Sequence, residues 1–302
     1  MSTSKAMINA FNSGIVIPAF NIFYLPAIKP IVQAIKDTQI FGMVEVARLE
    51  WTKFKVENLE SVYNEFQTVA KNENCVKLHL DHIPVVDEDG KRVDYIKIIE
   101  EALQLGYHSV MVDSSRLSLK ENISAVKKVV ELAHSYNVPV EAELGAVMGH
   151  EEKELPPYEE LFSTKQGFTS VEEAAIFVKE TNVDWLSIAA GSVHGAVSVT
   201  LRDLEKVEAR LDIDHIKRLR NATNVPLVLH GGTGIKKEYI KEGINAGISK
   251  INIATAVRKA YEKFQDTSII KAQEEVYKTV KDIIINDLEI EGTKKIVQKN
   301  IF

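Results

Sequence analysis

Eight short runs rich in valine and isoleucine alternate with amphipathic stretches along the chain, and together they predict an α/β fold of (β/α)8 (TIM) barrel type with extra C-terminal helices. The apolar runs are near-continuous, as suits strands covered on both faces. The alternation persists for about 250 residues, the length typical of such barrels. An open doubly wound sheet usually has fewer strands, and no G-x-G-x-x-G follows the first run.

The first run is IVIPAF (15–20), and the segment after it sets Ile28, Ile31, Val32 and Ile35 at helical spacing. FGMVEVA (41–47) and CVKLHLDH (75–82) are the second and third runs. Tyr95, Ile98, Ile99, Ala102 and Leu103 share a helical face before SVMVDSS (109–115). Ile123, Val126, Val129, Val130 and Ala133 do the same before VPVEAELG (138–145). WLSIAA (185–190), PLVLHGG (226–232) and SKINIAT (249–255) complete the set. Asn137 with Pro139, and Asn224 with Pro226, punctuate the step from helix back to strand. From Val257 to Phe302 the chain reads as additional helix, with Ile269, Ile270, Val276, Val280, Ile283, Ile284 and Leu288 as its apolar face. That face packs on the barrel or on another subunit. No low-complexity linker or composition break divides the chain, so residues 1–302 are expected to form a single domain.

Composition excludes several function classes. With 45% hydrophobic and 26% charged residues the chain is ordinary globular material, not a disordered one. Lysine plus arginine number 37 against 43 acidic residues, a net charge of −6, which argues against a nucleic-acid partner. Cys75 is the single cysteine, so no intrachain disulfide forms and a reducing, cytoplasmic location is expected. No apolar stretch of about 18 residues exists for a membrane span, and the N-terminus lacks the apolar run of a signal peptide.

Barrel chemistry sits at the carboxyl ends of the strands. The third run ends in Asp81-His82 and the fourth in Asp113-Ser114-Ser115. The fifth carries Glu141 and Glu143, and Gly191-Ser192-Val193-His194-Gly195 follows the sixth. His230-Gly231-Gly232-Thr233-Gly234 ends the seventh, and the eighth carries Asn252 and Thr255. Singly, each histidine reads as a packed core or loop residue. Jointly, His82, His194 and His230 make a metal site with an open position for substrate. Imidazole suits Zn2+, and also Co2+ or Fe2+, better than Mg2+. His79, on the face of Asp81, reads equally as a support for that site or as barrel packing. His108, His134, His150 and His215 are expected on solvated surface. The glycines at 231, 232 and 234 let backbone N–H groups approach an anion, and with Thr233, Asn252 and Thr255 they form a candidate phosphate cradle. The acidic segment LGAVMGHEEKELPPYEE (144–160) is expected to hang over this face as a lid.

In these residues the chain resembles the class II, metal-dependent fructose- or tagatose-bisphosphate aldolases, from about Ile17 to Tyr261. PAFN (18–21) is similar to the opening strand of that family, and LHLDH (78–82) to its signature motif. GYHSVMVDSS (106–115) with KENI (120–123), VEAELG (140–145), GSVHG (191–195), LVLHGGTGI (227–235) and KINIAT (250–255) resemble further motifs in the same order. The resemblance implies His82, His194 and His230 as zinc ligands and Asp81 as the acid/base on the C4 oxygen. It implies Asp113 and Glu143 as carboxylates that support those ligands or take the metal in an alternative position. Glu151 would handle the proton at C3. Gly195, Gly231, Thr233, Asn252 and Thr255 would hold the phosphate of a dihydroxyacetone phosphate half, with a monovalent cation nearby. A small sugar phosphate is the implied substrate, and a homodimer or homotetramer the expected assembly.

The sequence departs from the family pattern after Gly195, where Ala196, Val197 and Ser198 replace the usual tyrosine-containing segment. It departs again at Val46-Ala47-Arg48-Leu49, at Ile22-Phe23-Tyr24, at Ser115-Arg116 and at Thr255-Ala256. The changes gather where the aldehyde half of a substrate would lie, so Arg48 and Arg116 are candidates for binding an anionic group there. The expected reaction is retro-aldol cleavage of a ketose (bis)phosphate through a zinc-stabilised enediolate. The alternatives are the same chemistry on a deoxy, sulfonated or singly phosphorylated ketose, a non-catalytic barrel that binds a sugar phosphate, and a metal-dependent hydrolase.

Overall fold

The structure, a computed structural model, describes residues 1–145, 158–192, 209–232 and 234–299. A leading helix, α1 (Thr3–Ser13), enters strand β1 (Ile17–Asn21). The remaining strands are β2 (Gly42–Ala47), β3 (Val76–Pro84), β4 (Ser109–Asp113), β5 (Val140–Leu144), β6 (Trp185–Ile188), β7 (Leu227–Leu229) and β8 (Ile248–Ile253). Every predicted strand forms, each end within about three residues of the expectation, the usual uncertainty of element boundaries. The strands pair in parallel in chain order, and β8 pairs with β1 to close the barrel.

Helices cover the outside. β1 leads to α2 (Ile28–Asp37), and β2 to α3 (Arg48–Lys53) and α4 (Leu59–Ala70). Then α5 (Tyr95–Leu105) follows β3, α6 (Leu119–Ser135) follows β4, and α7 (Tyr158–Thr164) with α8 (Val171–Thr181) precede β6. After β6 and β7 come α9 (Ile213–Thr223) and α10 (Lys237–Ala246). Local chemistry sets their ends. Ser118 and Glu121 form a reciprocal cap on α6, the Ser118 hydroxyl donating to Glu121 at 2.7 Å. Asn224 ends α9 in the left-handed region (φ 52°), its N–H returned to Arg220, and Asn137 has the same conformation (φ 57°) after α6.

The tail forms α11 (Thr255–Glu262), α12 (Ile269–Asp282) and α13 (Lys294–Val297). α12 lies on α2, where Tyr277 donates to Asp37 at 2.7 Å, and it buries Val276 and Val280. Ile283, Ile284 and Leu288 are also buried. Ile269 and Ile270 are not part of that face: they are 54% and 69% exposed. They occupy the first turn of α12, and Ala272 is the first of its residues to be buried. Among the described residues no helix is long and apolar enough to cross a membrane.

Strand register decides what faces the axis. Asn21 pairs with Glu45, Glu45 with His79, Ala47 with Asp81, Glu141 with Trp185, and Glu143 with Ser187. Side chains alternate along a strand, so these residues share the inner face while Val44, Leu78, Leu80, Ala142 and Leu186 pack outward beneath the helices. Three histidines expected on solvated surface are engaged instead. His215 is buried and its Nε2 lies 2.8 Å from the Thr169 carbonyl. His108 is half-buried and accepts the Leu78 N–H at 3.1 Å, and His134 pairs with Asp184 at 2.8 Å. Each sits at a helix end or turn where an orphan backbone group or carboxylate needs a partner. His150 lies outside the described residues.

Candidate active site

The centre of the carboxyl-end face is built on an irregularity in β3. Regular alternation would point Asp81 to the axis and His82 away from it. The β3–β4 register slips between Leu80 and Ile83, and His82 takes a positive φ of 29°. Such a bulge re-aims a side chain. As a result His82 stacks edge-on against His230 from the end of β7, ring centroids 4.5 Å apart. A positive φ at a non-glycine residue costs about 1–3 kcal/mol, which the surrounding contacts must offset.

Asp81 is 2% exposed, and both its oxygens are held. The Asn21 amide donates to Oδ2 at 2.9 Å and the Asn252 amide to Oδ1 at 3.0 Å. Burial opposes ionisation, but the neighbouring positive charges of His82 and Lys250 outweigh it and hold the carboxyl below its ordinary range. His82 Nδ1 lies 3.3 Å from Asp113 Oδ2, and Asp113 Oδ1 accepts the Ser115 hydroxyl at 2.7 Å. His230 Nε2 lies 2.9 Å from Glu141 Oε1, and its Nδ1 lies 3.2 Å from Glu143 Oε2. Burial disfavours charge on His230, yet Glu141 and Glu143 push its pKa up to about 9.

Beneath this layer lies a second, fully buried one. Lys250 Nζ is 2.9 Å from Glu141, 3.2 Å from Glu45 and 2.7 Å from the Asn252 amide oxygen. Trp185 donates to Glu141 at 2.8 Å, and His79 bonds Ser109 at 2.8 Å with its other nitrogen 3.5 Å from Glu141. Burial and the Lys250 charge drive the His79 pKa down to about 3, so this imidazole is neutral. Sequence reasoning gave no role to Asn21, Glu45, Glu141 or Lys250. The available signal was a charged residue at an inward position inside an apolar strand, which demands a partner.

The other expected residues divide into four groups. Asp113, Glu143 and Asn252 join the centre. Gly231 follows His230 at φ 70°, a conformation that favours glycine, and Thr255 opens α11 at the exit of β8. Arg48 opens α3, its guanidinium 3.7 Å from buried Asp87, whereas Arg116 is exposed in the turn after β4 and makes no ion pair among the described residues. Glu151, His194, Gly195 and Thr233, with most of the acidic loop, lie outside the described residues.

The donor set fits a divalent cation. Ligand atoms of Asp81, His82 and His230 lie within 4.8 Å of one another, and so do those of His82, Asp113 and Glu143. Carboxylates flank each imidazole, Asp113 at His82 Nδ1 and Glu141 and Glu143 at the two nitrogens of His230, and a carboxylate on one ring nitrogen is what orients metal-binding histidines. Carboxylates that raise both imidazole pKa values also favour a metal cation in their place. Glu45, His79 and Asp81 form a third such group, but Lys250 already places a positive charge beside Glu45.

The sequence matches the family model for class-II fructose-bisphosphate aldolase over residues 1–301. The chain belongs to the class II fructose-bisphosphate aldolase family. Among solved structures it is similar to the YdjI aldolase from Escherichia coli K12, at 27% identity and a TM-score of 0.73, covering 96% of this chain and 97% of that one. A candidate fructose-1,6-bisphosphate aldolase from Coccidioides immitis (24% identity, TM-score 0.75, 97% of each chain) shares the fold. So does the fructose-bisphosphate aldolase from Campylobacter jejuni (18% identity, TM-score 0.71, 97% of this chain and 96% of that one). Membership of this class II aldolase family supports aldolase, carbon–carbon lyase, chemistry.

Proposed function

We propose that this class II aldolase family member is a zinc-dependent ketose (bis)phosphate aldolase that releases dihydroxyacetone phosphate and an aldehyde. The observation that carries the reading is an ionised, doubly anchored Asp81 beside the His82–His230 pair. His82 and His230, with His194, would hold the ion, and Asp113 and Glu143 surround it. A zinc ion there supplies a Lewis acid for the charge that develops on the substrate's C2 oxygen. Asp81 takes the C4 hydroxyl proton as C3–C4 breaks, and its two amide donors keep a lone pair aimed at that proton. Glu151 returns a proton to C3. Gly195, Gly231, Thr233 and the start of α11 at Thr255 bind the phosphate, remote from the breaking bond, and use that affinity to orient it. The second proton of the Asn252 amide is the one offered to substrate. A monovalent cation beside the phosphate, a homodimer or homotetramer that buries Ile269 and Ile270, and a cytoplasmic location consistent with the buried thiol of Cys75 complete the reading.

The test is a panel of ketose phosphates assayed for triose phosphate with zinc-loaded protein. Turnover should vanish on chelation and return with Zn2+ or Co2+, and His82→Ala and His230→Ala should each lose metal. Full activity in metal-free protein overturns the proposal. At the far end of the substrate, Arg116 is the freer of the two arginines to bind an anionic group. A bidentate contact is worth about 1.5–3 kcal/mol, so Arg116→Ala should lower kcat/KM about tenfold or more for the substrate carrying that group. Comparing fructose 1,6-bisphosphate with ketose 1-phosphates bearing other C6 groups, in wild type, Arg48→Ala and Arg116→Ala, checks it. Identical profiles in all three proteins remove both arginines from specificity.

A further inference from the structure

Lys250 lies on the inner face of β8 with no solvent exposure, and the reaction outlined above leaves it without a task. Its ammonium group is donor only, with three protons. Three acceptors stand around it: Asn252 Oδ1 at 2.7 Å, Glu141 Oε2 at 2.9 Å and Glu45 Oε2 at 3.2 Å. Two of these lead upward to the reacting layer.

The first branch runs through Asn252. A side-chain amide has one accepting and one donating end, and the two are easily interchanged. Lysine can only donate, so the amide oxygen must face Lys250, and the NH2 group must therefore face Asp81, which it reaches at 3.0 Å. The second branch runs through Glu141. Lys250 and the Trp185 N–H hold Oε2, and the free Oε1 accepts from His230 Nε2 at 2.9 Å. The ring thus stands between two carboxylates, Glu143 Oε2 lying 3.2 Å from Nδ1, and the contacts of Lys250 and Trp185 make Glu141 the anchored partner, which favours the ring proton on Nε2 when Nδ1 takes a metal ion. Removing the ammonium would leave buried Glu141 without this counter-charge and the Asn252 amide held by Asp81 alone.

We propose that Lys250 is a positioning residue that holds the His230 tautomer by anchoring Glu141 and braces the Asn252 amide beneath Asp81, and so supports the metal-facing nitrogen and the proton acceptor from one buried charge. The roles of His230 and Asp81 rest on the proposed function; the placement of protons by Lys250 does not.

The test uses zinc-loaded full-length protein labelled with 15N-histidine, in which two-bond ring correlations report the tautomer. His230 signals are assigned by their loss in His230→Asn. Wild type should show one His230 form with the proton on Nε2, and the opposite tautomer overturns the proposal without any Lys250 variant. Lys250→Met should bind Zn2+ about 10–100-fold more weakly, show two His230 forms at saturating metal, and lose about tenfold or more in kcat. KM should change little, because the phosphate contacts are untouched. A folded Lys250→Met with one unchanged His230 form and wild-type kcat overturns the assignment. If Lys250→Met does not fold, Glu141→Gln is compared with the charge-balanced Lys250→Met/Glu141→Gln. A lower kcat in the double variant is expected through Asn252, and equal kcat overturns that branch. Absence of turnover in wild type with every ketose phosphate would count against the proposed function, while the tautomer measurement still decides the role of Lys250.

Discussion

Asp81 shows how a buried carboxylate is kept ionised and fixed in place. Each oxygen keeps one amide donor, from Asn21 and from Asn252, and nearby positive charge holds the group ionised against the cost of burial. Hydrogen bonds to a charged group are worth about 1.5–3 kcal/mol, so Asn21→Ala should reduce kcat about tenfold or more while leaving zinc content unchanged. Steady-state kinetics with metal analysis checks this, and an unaltered kcat would show that Asn252 alone suffices. Asp81→Ala should cost about 10²–10⁴ in rate with metal retained. Asp81, His82 and His230 were legible in the sequence because polar residues stood out at the ends of apolar runs. Asn21 was not, although PAFN was noticed, because its role depends on strand pairing that places β1 within reach of β3 through β2.

At the scale of elements, the start of α7, the end of the segment after β6 and the approach to α9 share an anchor. The Tyr158 hydroxyl, at the start of α7, accepts the Arg210 N–H at 2.7 Å and lies 3.0 Å from the Gly191 carbonyl and 3.1 Å from that of Arg210. Arg210 then forks onto Glu159 at 3.1 and 2.7 Å and stacks over Phe162. Gly191 has φ 109°, and a Cβ there would run into the Arg210 carbonyl and Phe162. Tyr158→Phe leaves the half-buried Arg210 N–H without its acceptor, a loss of about 0.5–1.5 kcal/mol. The expected result is a lower melting temperature and faster hydrogen exchange at the Arg210 amide, and unchanged exchange there would remove Tyr158 as the anchor. The sequence does not reveal this anchor: Gly191 opens GSVHG, but Tyr158 and Arg210 belong to no family motif, and the three meet only in the folded chain. The strands and helices were legible because their periodicities are local. The β3 bulge was not, since LHLDH alternates on paper and only the neighbouring strand reveals the slip.

Over the whole molecule, the barrel carries charge in its interior and apolar side chains outside, where the helices lie. That inversion has a measurable consequence for stability. Burial, with the charge of Asp81, pushes the Glu45 carboxyl from its ordinary 4.5 up to about 8. Between those values the folded protein keeps a proton that the unfolded chain has released. The contribution of Glu45 is therefore most favourable below the lower value and is lost as pH rises through the upper one. Glu45→Gln should flatten the fall in melting temperature over that window, with the largest gain at its alkaline end. Thermal melts of both proteins across the window check it, and parallel curves would assign the effect to another group. The expectation of a closed barrel rested on counting eight runs, and it holds because parallel strands buried on both faces leave an apolar signature that survives sequence divergence.

Closure through β1 and β8 also bears on how the chain is made. During synthesis β1 emerges early and its free edge waits until residue 253 has been added. Lys250 arrives with that last strand, after Glu45 and Glu141, so the ionised Glu141 in the growing barrel lacks this counter-charge until the final insertion. Most contacts that close the ring join residues far apart in sequence, which makes the step slow and leaves an unpaired strand edge exposed to other chains in the interval. The centre that orients Asp81 can begin with Asn21 on β1 but is completed, through Asn252, only in the late event that seals the barrel.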